Sequence, residues 1–321
     1  MLAAPRSPHP SFKTSTIKAP DIFPSTTKWM RPYIELTKPR ITWLILMSAG
    51  IGYFFGLPGA ANWKAFLGAI RVFSLLHTLV GTGLMASGTA ALNQWLEREA
   101  DRRMRRTAAR PLPTGRVPVG RALAFGIGLS VAGCLELWLG VNRLAALCGA
   151  VTLASYLFLY TPLKQRTWWS TTIGAIPGAL PPVIGYAAAA GTLTRQAWVL
   201  AAILFIWQFP HFYSIAWMYK DDYARAGIRM LPVIDADGRF TARQIVIYGM
   251  ALIPVSLTPV FMGMSGTAYA IGALVLGLWF LYSGVRVAME RTMIRARRVL
   301  VTSVLYLPLI YGLMLLDRPG L

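Results

Sequence analysis

Three oxygen-bearing side chains, Asn93, Glu97 and Asp101, recur at four-residue intervals in the stretch NQWLEREADRRMRRTAARPLPTGR. Residues four apart share one face of a helix, so these three point the same way and Glu99 points elsewhere. Such a stripe makes a poor salt-bridge ladder and a good partial shell for Mg²⁺. That hard cation takes a few carboxylates and leaves its other positions to water and phosphate. Arginines follow, among them Arg106 and Arg110, and a guanidinium can grip two phosphate oxygens at once. A plainer use of Glu97 and Asp101 would be to neutralise those arginines at a membrane surface. A second acidic group weakens that alternative. Asp221 and Asp222 follow Lys220 in WQFPHFYSIAWMYKDDYARAGIRMLPV, with Asp235 and Asp237 beyond. Two acidic patches with arginines nearby suit a diphosphate held by bridging metal ions. Glu97 and Asp101 are the expected ligands of one ion, with Asn93 a neutral partner. Asp222, then Asp221, would hold a second.

The elements that must position these groups are membrane helices. Of 321 residues, 55% are hydrophobic and 14% charged, whereas a soluble domain carries about 25% charged residues. The apolar segments run roughly 18 to 22 residues, the length of a membrane helix, rather than the ten-residue alternating segments of a barrel. Nine spans begin near Ile41, Leu67, Arg121, Arg143, Thr171, Ala197, Gln244, Ala268 and Val299. This predicts an all-α polytopic membrane protein, with one domain over residues 33–321 behind a disordered tail, 1–32. The Pro-, Ser- and Thr-rich tail lacks the compact apolar core and small-residue cleavage site of a signal peptide. Cys134 and Cys148 lie in adjacent apolar spans and imply neither a disulfide nor a cysteine metal site.

A net charge of +20 could suggest nucleic acid, but its distribution argues for a bilayer instead. The tail carries seven Lys and Arg, and the connection between spans two and three carries eight. The 4–5, 6–7 and 8–9 connections carry two, five and five. Only Lys64, Arg71, Arg143, Arg195 and Arg318 fall on the other side. The positive-inside rule then places the N terminus in the cytoplasm and the C terminus outside. Both acidic groups follow even-numbered spans, so the mouth of the site is expected at the cytoplasmic surface, beneath the 2–3 and 6–7 connections.

The first stretch resembles the first signature of the membrane-embedded prenyltransferases. Its N…E…D..M.RT..RPLP.G form resembles the branch that farnesylates heme. YTPLKQRTWWSTTIGAIPGALPPVIGY (Tyr160–Tyr186) and the stretch Trp207–Val233 resemble that branch's other two signatures. Three signatures in order, within a match running from about Tyr33 to the last span, make the resemblance highly specific. It implies attack by a vinyl group of heme B on farnesyl diphosphate, with water completing a hydroxyethylfarnesyl side chain and diphosphate leaving. It also implies diphosphate-bridging Mg²⁺, a bacterial inner membrane, and heme A synthase or terminal-oxidase assembly proteins as partners. Asn93, Glu97, Asp101, Arg106, Arg110 and Asp222 become the catalytic set. Two departures stand out. The superfamily's second acidic motif commonly spaces two aspartates four apart, but here Asp221 and Asp222 are adjacent, with Trp217, Met218 and Arg225 at the flanking positions. Arg229 also stands where that branch would carry proline.

The remaining candidates each have a plain alternative. Pro111 and Pro113 end any helix there, which puts Arg110 on a loop able to fold over a diphosphate. Lys164 and Arg166 are the only basic residues of their connection and would serve equally as topological anchors. The resemblance moves Lys164 toward diphosphate binding, Arg166 less so. GAIPGALPPVIG predicts a kinked helix with close backbone approach to its neighbours. Tyr160, Trp207 and Phe209 could offer ring faces to an allylic cation or belong to an interfacial aromatic belt. His211 and His77 are candidate heme contacts, since an intramembrane ionisable group is functional by default and imidazole can ligate heme iron. Either could instead be a helix–helix hydrogen-bonding group. Glu136 has Arg143 or Asn142 as its expected partner. One rival reading is prenylation of an aromatic quinone or chlorophyll precursor. The other is a transporter of an anionic lipid or metabolite, which would want charges near the midplane and inverted repeats. The one-sided acids disfavour it.

Overall fold

Apolar runs in lipid must satisfy their backbone hydrogen bonds internally, and a helix does so within one segment. The computed structural model describes residues 27–57 and 69–319, and every regular element in them is helical. The expected tail before Thr27 lies outside the described residues, as does Lys64. Helix α1 (Thr27–Leu36) precedes α2 (Pro39–Gly56), and the long α3 (Ala69–Leu96) leads into the short α4 (Arg98–Arg103). After an irregular segment α5 (Val119–Gly140) returns. Helix α6 (Arg143–Ala154) continues through a π-helical turn, Ser155–Tyr160, to Thr161–Leu163. Then come α7 (Ser170–Ala179), α8 (Pro181–Ala190), α9 (Arg195–Met218), α10 (Lys220–Arg225) and α11 (Leu231–Ile234). The chain closes with α12 (Arg239–Phe261), α13 (Thr267–Met289) and α14 (Met293–Leu316).

Among the described residues, eight helical segments are long and apolar enough to cross a membrane. Helix α6 with its π turn makes one of them, and α7 with α8 another. The remaining expected span, the one beginning near Ile41, is α2. Its 18 residues start with Pro39 and Arg40, and its second half is buried from Ile51 onward. A helix inside the bundle needs less apolar length than one facing lipid, so the count of nine is eight spans plus this shorter one. The boundary of the expected tail needs correction too. Residues 27–32, assigned to it, belong to α1. That helix forms because it has a face to bury: Leu36 is inaccessible, and the Tyr33 ring meets Phe125 edge-on at 5.2 Å.

Packing explains the fifth span. The irregularity falls at Leu180, which keeps helical dihedrals but whose N–H reaches only the Pro177 carbonyl at 3.3 Å, so the span divides into α7 and α8. Pro181 and Pro182 open α8, where a missing N–H costs nothing. Helix α2 crosses α8 at Gly52 and Gly185. A Cβ on Gly52 would overlap the Pro182 carbonyl, and one on Gly185 the Ala49 carbonyl. Small residues are what let membrane helices approach this closely. The main core lies between α9, α12, α13 and α14, around Phe209, Tyr213, Tyr269, Tyr306 and Tyr311.

Candidate active site

The α3 hydrogen-bond pattern carries past its end: the Glu97 N–H donates to Asn93 and the Asp101 N–H to Glu97, at 2.9 and 2.8 Å. The stripe therefore survives, and each member meets a different cation. Lys38 Nζ donates to Asn93 Oδ1 at 3.2 Å, and Lys164 Nζ donates to Glu97 Oε1 at 2.7 Å. Arg110 Nη1 donates to both carboxylate oxygens of Asp101, at 2.9 and 2.8 Å. A ladder was unexpected from the stripe alone. Its rungs come from elements 55 and 67 residues away, and from the loop after α4. Asn93 Nδ2 also donates to Thr161 Oγ1 at 3.3 Å, joining α3 to the end of the π turn.

Electrostatics follow from this pairing. Burial alone would raise the Glu97 carboxyl, but the Lys164 ammonium, helped by Lys38 and Asn93, holds it below the usual carboxylate range. Burial works against the charge on Lys164 as well, yet Glu97 and the ring oxygens of Tyr160 and Tyr156 hold its ammonium well above the ordinary lysine value. Its Nζ sits 4.3 Å from the centre of the Tyr160 ring. Lys38 has no such full partner. Burial and then the Arg110 charge push it down to about 7.

Lys38 escaped the sequence reading, where it counted only as tail charge. Among the described residues it is the only non-glycine with positive φ, at φ 48° and ψ 60°. A left-handed conformation costs an L-residue roughly 1–2 kcal/mol. The observed turn between α1 and α2 imposes it and sends the side chain inward to Asn93. One signal was available: a residue before proline is steered out of the right-handed helical region, so Lys38-Pro39 marks a bend at the mouth of the first span.

The 2–3 and 6–7 connections dock on each other. Asp222 accepts the backbone N–H groups of Arg105 and Arg106 at 3.3 and 3.2 Å, and pairs with Arg225. Those donors and Arg225 hold its carboxyl below the usual range, against the effect of burial. Arg106 lies 4.8 Å over the Tyr219 ring and donates to Tyr223 Oη at 3.1 Å. The 4–5 connection joins through Arg229, whose N–H donates to the Lys164 carbonyl at 2.8 Å. The 2–3, 4–5 and 6–7 connections therefore meet at one end of the bundle, and Arg110 lies on a loop as expected.

Two hollows open from this end. A narrow, almost wholly apolar cavity runs between α2, α3, α6, α7 and α8 from Lys38 and Tyr156 down to Thr82, Met85 and Ile184. A wider groove of about 1030 Å³ lies between α1 and the 2–3 connection, and Lys38 and Ile41 line both. From Asn93 to Thr82 the helix rises about 16 Å, a length suited to an extended chain of isoprene units.

Other expected residues are not brought into this arrangement. His77 lies 16 residues before Asn93 on α3, about 24 Å away along the axis. Its Nδ1 pairs with Glu136 at 2.6 Å. That pairing replaces the partners expected for Glu136, because Asn142 is spent capping α6 and bonding the Ala187 and Ala188 carbonyls. His211 Nδ1 bonds Ser303 Oγ at 2.8 Å, and its ring stacks on Trp207. Trp207 Nε1 donates to the Ser303 carbonyl, while Phe209 is stacked on Tyr248 in the core, so neither ring offers a free face inside the site. Lys220, Asp221 and Arg166 are exposed.

Asn93, Glu97 and Asp101 are hard oxygen donors and fit one Mg²⁺ that completes its shell with phosphate and water. Among the described residues no three Asp, Glu, His or Cys side chains converge on a metal position, at the stripe or elsewhere. A shell here therefore needs the Asn93 oxygen and phosphate besides the two carboxylates. A second ion fits less well. Asp222 is committed to two backbone donors and Arg225, and Asp221 is exposed beside it.

A family model described as the UbiA prenyltransferase family matches residues 45–308. A protoheme IX farnesyltransferase of Solibacter usitatus is 77% identical over 292 residues, covering 91% of this chain and 100% of that protein. One from Koribacter versatilis is 46% identical, covering 92% and 96%. Among solved structures, a digeranylgeranylglyceryl phosphate synthase superposes with a TM-score of 0.70 at 17% identity, over 91% of this chain and 99% of that one. A UbiA homologue from Archaeoglobus fulgidus bound to GPP and Mg²⁺ gives 0.59 at 14% identity, over 88% and 99%. At such identities these likenesses carry the fold.

Proposed function

Because this chain belongs to the UbiA prenyltransferase family, we propose that it transfers the farnesyl group of farnesyl diphosphate to a vinyl group of heme B, with addition of water and release of diphosphate. The observation that carries the site is the three-rung ladder of Asn93, Glu97 and Asp101 with their cations, set at the mouth of an apolar cavity. The activity for which these relatives are named, protoheme IX farnesyl transfer, supports the acceptor and the donor.

The C1–O bond of the donor breaks with its electron pair leaving on diphosphate. The vinyl π pair forms the new bond to C1, and water adds at the adjoining carbon and gives up a proton. Charge develops at the leaving group, so preorganised cations there are the main lever. Lys164, Lys38 and Arg110 are already gathered at that point, and a diphosphate would take over the rungs now held by Glu97, Asn93 and Asp101. Mg²⁺, when bound by Glu97 and Asp101 with Asn93 beside them, supplies Lewis-acid charge to the diphosphate oxygens. The apolar cavity accepts the isoprene tail and keeps water from C1 until the acceptor has reacted. Asp222 acts by holding the loop that carries Arg106 and Arg110. The asymmetric distribution of Lys and Arg supports a cytoplasmic mouth in a bacterial inner membrane. The product would pass to heme A synthase or to terminal-oxidase assembly proteins.

The test is incubation of the purified protein with farnesyl diphosphate, Mg²⁺ and heme B. The expected outcome is a heme heavier by a farnesyl group and a hydroxyl, with stoichiometric diphosphate. Prenylation of an aromatic quinone precursor and not of heme would move the reading to the aromatic branch. Binding of farnesyl diphosphate without its cleavage by any acceptor would favour a carrier.

A further inference from the structure

The proposed tail site and the ladder leave open how an acceptor reaches C1. With the isoprene chain filling the narrow cavity, C1 lies at its mouth, beside Lys38 and Arg110. The acceptor of the proposed reaction is a broad apolar ring bearing two carboxylates, which cannot follow the tail inward. Burying ionised carboxylates without partners in an apolar interior is prohibitive, and the cavity offers almost no polar surface. The ring must therefore approach with its vinyl edge inward and its carboxylates at a charged rim.

The groove between α1 and the 2–3 connection meets each demand. Its volume of about 1030 Å³ is at the upper end of what small-molecule pockets offer. It shares Lys38 and Ile41 with the cavity, and Arg110 with the ladder. Met30, Ile34 and Ile41 present apolar surface along it, and the first two are about half exposed. Arg31 and Arg40 stand at its outer rim. Glu35, the one acid in the lining, is already taken by Arg116 at 2.7 Å and is only 3.7 Å from Arg31 at its nearest. No hydrogen bond or ion pair occupies Arg40 among the described residues. The rim thus has one cation, Arg40, with no protein anion upon it, and a second, Arg31, held only by a 3.7 Å ion pair to a Glu35 that Arg116 already grips, next to an apolar wall that opens on the reaction centre.

We infer that this groove docks the tetrapyrrole. Its propionates are held by Arg40 and Arg31, its face lies along Ile34 and Ile41, and a vinyl edge points past Lys38 toward C1. The assignment rests on the heme-farnesylation reading. It adds that carboxylate recognition, remote from the bond that forms, selects the acceptor and orients it.

The experiment compares heme B with its dimethyl ester as acceptors, using wild-type protein in detergent and an Arg31→Gln/Arg40→Gln variant. The wild type should show a KM for heme B lower by about tenfold or more than for the diester, as charge-assisted bonds imply. The variant should raise the KM for heme B by about the same factor, leaving the diester's KM and the KM for farnesyl diphosphate in place. Equal KM values for the two acceptors in the wild type would overturn the assignment while leaving the reaction intact, and this comparison needs no variant to fold. Equal losses for both acceptors in the variant would overturn it too. If the wild type farnesylates neither acceptor, the heme reading itself fails.

Discussion

The backbone N–H of Arg229 donates to the carbonyl of Lys164 at 2.8 Å, while the side chain of Lys164 reaches Glu97 at 2.7 Å. One residue is thus fixed at both ends, by the 6–7 connection through its backbone and by the acidic stripe through its ammonium. Arg229 occupies the position where the heme-farnesylating branch was expected to carry proline, and proline has no N–H to donate. The departure therefore has a physical content that the arginine side chain, exposed to solvent, does not reveal.

Arg229→Pro should loosen Lys164 by about 1 kcal/mol, the worth of one hydrogen bond, and raise the KM for farnesyl diphosphate roughly fivefold. Arg229→Ala keeps the N–H and should stay near wild type. Indistinguishable kinetics for the two variants would show that the backbone bond contributes nothing.

Asp101→Asn keeps a partner for Arg110 in a fully buried position but removes the charge and weakens a metal ligand. Turnover should fall on the order of a hundredfold or more, with the protein still inserted and folded. Near-normal farnesylation across a range of Mg²⁺ concentrations would dismiss Asp101 as a ligand.

Lys38, pushed down to about 7, is roughly half protonated near neutrality in the free protein. A bound diphosphate favours the ammonium and raises its pKa, so binding takes up a proton above pH 7. Affinity should be flat below 7 and fall as pH rises, by at most about tenfold per unit. Calorimetry in buffers of different ionisation enthalpy reads the uptake directly. Zero proton uptake at pH 8, or a slope that persists in Lys38→Met, would remove Lys38 from the diphosphate site.

His211→Ala breaks a bond to Ser303 and a stack on Trp207. A stability loss of about 0.6 kcal/mol is typical for such a bond between membrane helices. The heme requirement should not change at saturating farnesyl diphosphate. A raised heme requirement in samples of matched folded fraction would instead put the imidazole on the tetrapyrrole.

The periodic features were legible in the sequence. Length and hydropathy gave the helices, and four-residue spacing gave the Asn93–Glu97–Asp101 stripe, because both depend only on local geometry. The partners of that stripe were not legible, since Lys38 and Lys164 reach it from elements more than 50 residues away. The partners of Asp222 were hidden for the same reason, because only the folded chain brings the Arg105 and Arg106 backbone N–H groups against it. His77 and Glu136 each drew a separate expectation, and only the packing of α3 on α5 makes them partners.

The π turn at Ser155–Tyr160 makes the fourth span one residue longer than an α-helix needs over the same arc, and such surplus residues cluster at functional sites. The surplus is absorbed inside the turn, so its removal is a local event. Deleting one of the six residues would let the turn close to α-helix over the same arc, and Lys164 would keep its bearing toward Glu97. In a comparison of sequences, a single-residue gap at this point would therefore be compatible with an intact stripe, and would mark the loss of the widened turn alone.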